Sequence, residues 1–323
     1  MEAGAFVVDT AAEVFEASDM IVKVKEPQPH EFSTVKENQV IFTFFHFAAD
    51  PKLTNAFIDM GAIAVAFETV ESRDGRLPIL APMSEITGRM SIQEGAKYLE
   101  APQGGRGVPL GGLPGVASAD VVIIGAGVVG SNAALIAAVV GATVHLLDIE
   151  VDQLRRAEQF LPANVFTHMS NPYNLQKLVP AADVLVGAVL VPGSKAPILV
   201  SSEMIRTMKR GSVIVDTAVG QGGCVETMKV TTHSVPTYVV DDVVHCGIAN
   251  LPGAVPRTAT MALSNATYPY VFALTNDGWE TACQRDEGLA RGLNIIHGMV
   301  THRGVAVAAD VPFHPLPFAT QHD

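Results

Sequence analysis

A chain of 323 residues, 48% hydrophobic and 17% charged, has ample material for a buried core, which excludes a disordered polypeptide. Its formal net charge of -12, with no basic run, argues against nucleic acid and anionic membrane as partners. At roughly 100–200 residues per domain, the length points to two domains.

In chain order, Ala5–Val8, Met20–Lys25, Val40–Phe45 and Ile63–Phe67 are short apolar runs rich in β-branched or aromatic residues and read as strands. Ala11–Ala17 and Lys52–Met60 lie between them as helices, and such alternation implies a parallel sheet. Pro82–Glu100 reads as a long helix with Ser84 as N-cap and a stripe of Ile86, Met90, Ile92, Ala96 and Leu99. The Gly- and Pro-rich segment Gly104–Val116 is a connector. A second series follows: strand Val121–Ile124, helix Val128–Val140, strand Thr143–Leu147 and helix Val151–Phe160. Further strands are expected at Val165–His168, Val184–Val189 and Ser212–Val215, and a helix at Ala259–Leu274.

The apolar segment Val121–Val140 is broken by Gly125, Gly127 and Gly130 and contains Ser131 and Asn132, so it reads as strand, turn and helix rather than a membrane span. Cys224, Cys246 and Cys283 form no disulfide- or zinc-like spacing, and no metal is expected. With no basic and apolar leader at MEAGAFVVD, a reduced, cytoplasmic setting is expected. The expected architecture is α/β and discontinuous. A Rossmann-type doubly wound nucleotide domain, residues 82–256, is inserted in a second α/β substrate domain made of residues 1–81 and 257–323. A ligand is expected in the cleft between them.

The strongest local motif is VVIIGAGVVGSNAA, where Gly125, Gly127 and Gly130 form G-x-G-x-x-G between a strand and a helix. The first glycine permits the tight turn, the second lets backbone approach a pyrophosphate, and the third lets helix and strand pack closely. The helix opening at Val128 offers unpaired N–H groups and a positive dipole end to phosphates. The next strand ends in Asp148, about twenty residues beyond the last glycine, where a carboxylate accepts from ribose hydroxyls and disfavours a 2′-phosphate. The expected cofactor is NAD.

Taken in order, IVKVKEP, FTFFHFAAD, AFETV, APMSEITGRM, GGLPGV, VIIGAGVVGSN, GAVLVPGSKAP, DTAVGQGG and IANLPGAVPRTAT resemble the alanine dehydrogenase family from near the start of the chain to near its end. The related transhydrogenase subunit matches these segments less well. The resemblance implies reversible, NAD-dependent oxidative deamination of L-alanine to pyruvate and ammonium by a homo-oligomer, usually a hexamer. It implies that Lys25 binds the substrate and that His46 is the acid/base, imidazole being the side chain type best suited to proton exchange near neutral pH. From the residues alone, Lys25 also reads as a solvated charge and His46 as a core histidine among phenylalanines. Around the cofactor the resemblance places Ser84 near the nicotinamide, Val128 and Val129 at the pyrophosphate turn, Asp148 at the ribose and Ser170 near the adenine. It sets Val189 and Leu190 over the adenosine and Ile248, Asn250 and Leu251 beside the nicotinamide. Gln153 stands where the family tends to carry a basic residue, whereas Lys229 retains one.

Two departures are expected to matter. The chain starts after the family's first βαβ unit, which carries an arginine for the substrate carboxylate. Gly220 of DTAVGQGG stands where the family has an aspartate beside the reacting carbon, and Asp216 lies elsewhere on that loop. Two explanations fit: a start assigned at an internal methionine, or a decayed paralogue that binds dinucleotide and turns over slowly. The functional alternatives are an impaired alanine dehydrogenase, a non-catalytic NAD(H)-binding paralogue or partner subunit, and another amino-acid or transhydrogenase-type NAD enzyme.

Overall fold

The computed structural model describes residues 4–189, 196–316 and 318. Its contacts divide the chain into two units, Met1–Ala81 with Met261–Asp323, and Pro82–Thr260.

The first unit begins with α1 (Ala11–Ala17), capped by the Thr10 hydroxyl, which accepts from the Glu13 N–H and donates to the Glu13 carboxylate. Strands β1 (Met20–Val22), β2 (Val40–Thr43) and β3 (Ile63–Ala66) run parallel, with α2 (Pro51–Met60) between β2 and β3. Every residue of β2 and β3 is buried, as strands covered on both faces require. Phe45 and Phe47 stack at 4.4 Å between centroids and meet Phe57 of α2 edge-on at 5.0 and 5.5 Å. Burying each such ring contributes about 1.5–3 kcal/mol, so this cluster anchors the loop that follows β2.

Ala5–Val8 is not a strand. It joins neither sheet, and Phe6 and Val7 are exposed, because apolar composition alone supplies no ladder partner.

The second unit opens with α3 (Ala81–Tyr98). Ser84 is therefore inside the first turn and is not the N-cap. Pro82 shifts the start earlier, since proline fits a first turn where its missing N–H is no loss. In order come β4 (Asp120–Ile124), α4 (Val128–Val139), β5 (Thr143–Asp148), α5 (Val151–Glu158), β6 (Val165–Met169), α6 (Pro172–Leu178) and β7 (Val184–Gly187). They are followed by α7 (Ser202–Arg206), β8 (Val213–Asp216), β9 (Thr237–Val240) and β10 (Val243–Cys246). The seven strands have the order β6-β5-β4-β7-β8-β10-β9, all parallel except edge strand β9. Such an order, reversing between β4 and β7, is the doubly wound Rossmann arrangement, whose ligands bind at the carboxyl ends of the strands.

The chain continues through α8 (Pro256–Asp277), α9 (Trp279–Arg285) and α10 (Glu287–Ala290) to β11 (Leu293–Ile296), β12 (Met299–Val300) and α11 (Arg303–Ala309). β11 pairs antiparallel with β3, completing the mixed sheet β1-β2-β3-β11-β12 of the first unit. Among the described residues no helix is long and apolar enough to cross a membrane.

Burial pushes the imidazoles of His145, His168, His245 and His302 below their ordinary pKa; His145 and Lys177 add a repulsive contribution at His168. His145 and His168 share a 3.0 Å hydrogen bond between β5 and β6, which accommodates one proton between the two rings. The unfolded chain protonates near the ordinary histidine value, whereas the native state resists. Stability contributed by these groups is therefore complete above about pH 6.5 and is lost as pH falls through the lowered native values. The melting temperature is expected to drop progressively below that pH, and a flat thermal-melt profile across the acid range would contradict it.

Candidate active site

In the first unit, adjacent parallel strands deliver chemistry-bearing residues to one edge. The pairing of β1 with β2 continues past the strands, with the Phe44 N–H donating to the Val24 carbonyl and the Thr43 hydroxyl to the Lys25 carbonyl. Lys25 thus emerges beside the end of β2, where His46 follows, and Glu68 follows the end of β3. The Lys25 ammonium is mostly exposed and lies 2.8 Å from Glu26 Oε2, an otherwise buried oxygen with no hydrogen bond of its own.

His46 is exposed between the buried rings of Phe45 and Phe47, so it is not a core histidine. Its ring is parallel to that of Phe44, with centroids 5.9 Å apart. Its backbone is left-handed at φ 55, an uncommon conformation for a side chain of this size. Glu68 holds it there: the Glu68 carboxylate accepts from the His46 N–H at 2.6 Å and from the Phe45 N–H at 3.2 and 3.3 Å. This turn keeps the aromatic neighbours in the core while presenting one imidazole to solvent. Glu68 was missed in the sequence because its partners are backbone groups across a strand and a helix, which no local period marks.

In the second unit, the β4–α4 turn has the features a diphosphate cradle needs. Gly125 is at φ 105, where a Cβ would meet the Ala188 carbonyl at 2.5 Å. At Gly130 a Cβ would lie 1.7 Å from the Gly125 carbonyl oxygen, whereas at Gly127 it would meet none of the described residues within 4 Å. The third glycine therefore serves packing and the second leaves open space at the helix N-terminus. Asp148 closes the arrangement: its Oδ2 accepts from the Ala126 N–H at 2.6 Å and its Oδ1 from the Glu150 N–H at 2.8 Å. A carboxylate has about four acceptor positions, so two remain for sugar hydroxyls. Val128 and Val129 form the first turn of α4, and the Ser170 N–H donates to the Asp148 carbonyl at 2.8 Å. Val189 follows Ala188 against the turn. Ser84 lies one helical turn before Gly88, which packs on α4 at the Val129 carbonyl. Leu190 lies outside the described residues.

These contacts separate two glycine effects. Gly130→Ala is expected to cost about 1–3 kcal/mol by overpacking and to lower the melting temperature. Gly127→Ala is expected to melt like the parent while weakening NADH binding measured by fluorescence titration. Equal melting for both variants would contradict the assignment.

A second cluster gathers around the loop after β8. Asp216 is nearly fully buried, and burial raises its pKa, opposed by N–H donors from Ala218, Cys224 and Val225. Its carboxylate is spent on folding this loop. Gly220 is exposed on it, and among the described residues a Cβ there would meet only the Ala249 Cβ at 4.0 Å. Gly220 thus lies against the segment bearing Ile248, Asn250 and Leu251. Lys229 is exposed, with its backbone N–H donating to the Tyr238 hydroxyl at 2.6 Å. Burial pushes the Cys224 thiol well up, Cys246 to about 11 and Cys283 to about 12, which leaves all three as unreactive core thiols. Among the described residues no cluster of three or more His, Cys, Asp or Glu could hold a metal ion.

Comparison with known proteins adds family models on both parts of the chain: the alanine dehydrogenase/PNT N-terminal domain matches residues 1–87 and the C-terminal domain residues 91–303. The alanine dehydrogenase of Methanococcus maripaludis is 51% identical over 314 residues, covering 97% of this chain and 84% of that protein. That of Mycobacterium tuberculosis is 48% identical over 311 residues, covering 96% and 84%. A solved L-alanine dehydrogenase superposes with a TM-score of 0.89 at 48% identity, covering 95% of this chain and 84% of that one. A transhydrogenase from Sinorhizobium meliloti, 23% identical with a TM-score of 0.74 and covering 94% and 84%, shares the fold.

Proposed function

The chain belongs to the alanine dehydrogenase/PNT family as an alanine dehydrogenase, and from that premise we propose that it interconverts L-alanine with pyruvate and ammonium, using NAD. The cofactor assignment is supported by Gly127, where none of the described residues comes within 4 Å of an added Cβ, in the turn whose Ala126 N–H donates to the Asp148 carboxylate. A second carboxylate oxygen faces the Glu150 N–H, so the negative charge stays fixed where a 2′-phosphate would be repelled. NAD, when bound, supplies the hydride acceptor.

The protein's own groups do the rest. The α4 N-terminus with Gly125, Gly127, Val128, Val129 and Gly130 would hold the pyrophosphate side; Asp148 and Ser170, with Val189, would take the adenosine side. Ser84, Ile248, Asn250 and Leu251 belong to the nicotinamide side, and Lys229 supplies positive charge. Lys25 binds the substrate through its exposed ammonium, leaving Glu26 as it does so. His46, held by Glu68 and exposed, moves the proton of the attacking water and of the amino-bearing carbon's oxygen and nitrogen substituents. Gly220 supplies no side chain, so turnover is slower than a carboxylate at that position would permit. Homo-oligomeric assembly is supported by α8, which exposes Met261, Tyr268 and Phe272.

The test is the purified chain with NAD and L-alanine, followed at the NADH absorbance band, and the reverse with pyruvate and ammonium. Alanine-dependent NADH formation is expected. Binding of NADH with no turnover in either direction would favour a non-catalytic dinucleotide-binding role.

A further inference from the structure

The segment Thr227–His233 is tied to β9, to β10 and to the chain leaving β10. The Thr227 hydroxyl bonds the buried His245 ring at 2.7 Å, and the Tyr238 hydroxyl donates to the Thr227 carbonyl while accepting from the Lys229 N–H. The Thr231 N–H donates to the Gly247 carbonyl at 2.8 Å, and the Gly247 N–H returns a bond to the Thr231 hydroxyl. The two backbones approach so closely that a Cβ on Gly247 would lie 2.2 Å from the Lys229 carbonyl. The last tie is a side chain: His233 Nε2 lies 2.8 Å from the Asn250 carbonyl oxygen. A carbonyl only accepts, so Nε2 carries the proton and donates. The same carbonyl takes the Gly253 N–H at 3.1 Å, and Gly253 leaves room for both side chains, since a Cβ there would sit 3.1 Å from Asn250 Nδ2 and 3.4 Å from His233 Nε2.

We propose that His233 is a positioning residue for the nicotinamide end of the cofactor: its hydrogen bond to the Asn250 carbonyl sets the turn that presents Asn250 and Leu251. The functional half of this inference rests on the cofactor reading given above. His233 is exposed and outside both cores, so its loss leaves the fold intact.

The experiment compares the parent, His233→Ala and His233→Gln with two probes, NADH and ADP-ribose, which lacks the nicotinamide. His233→Ala is expected to weaken NADH about three- to tenfold, the value of one hydrogen bond, and to leave ADP-ribose within twofold. His233→Gln, which keeps a donor, is expected to restore most of the NADH affinity. Amide exchange at Gly253 is expected to speed up in His233→Ala and not in His233→Gln. Unchanged exchange at Gly253, or equal weakening of both probes, would overturn the proposal. Failure of the parent to bind either probe would instead overturn the cofactor reading, and the exchange result would still decide whether His233 holds the turn.

Discussion

Gly220→Asp is expected to raise the turnover of L-alanine by about two orders of magnitude or more, in the range a positioned acid/base group supplies. The backbone there is outside the left-handed region, so an L side chain is not strained. Among the described residues, the only neighbour a Cβ would touch is the Ala249 Cβ at 4.0 Å, ordinary van der Waals contact. The loop itself is already fixed from beneath by Asp216, whose carboxylate takes three backbone N–H groups and does not depend on residue 220. The substitution therefore adds a carboxylate without remodelling the loop. Steady-state kinetics with NAD and L-alanine decide it. An unchanged kcat would mean that the proton chemistry in this chain does not use that position.

His46→Asn is expected to lower kcat about 10²- to 10⁴-fold by removing the acid/base. Asparagine is the informative replacement, because it is among the residues that tolerate left-handed backbone such as the φ 55 found here. The Glu68 carboxylate bonds the backbone N–H and not the ring, so that restraint survives the substitution. Melting near the parent value with activity lost would place the effect in the imidazole. Retained activity would remove His46 from the mechanism.

Much of the nucleotide unit was legible because its signals are local. A strand, three glycines at fixed spacing, a helix and an acidic strand end lie within one short stretch, and each performs a distinct steric or electrostatic task in the structure. The β9–β10 hairpin was not legible. Its two-residue turn is Asp241-Asp242, both with positive φ, without the glycine that usually marks such a turn. Ala5–Val8 shows the opposite failure: strand-like composition with no ladder to join. In the site, His46 and Lys25 entered through the family resemblance, and residue patterning alone left both open to bland readings. What sequence could not supply was Glu68, which fixes the histidine through backbone contacts, and the structural role of Asp216. Both carboxylates act on main-chain N–H groups brought near only by the fold.

Calorimetric titration with NADH tests most directly whether the β4–α4 turn and Asp148 form a dinucleotide site. One saturable site per chain is expected, weakened about 10- to 100-fold in Asp148→Asn through loss of charge-assisted hydrogen bonds. No heat of binding at about millimolar NADH, or equal affinity in the parent and in Asp148→Asn, would contradict it.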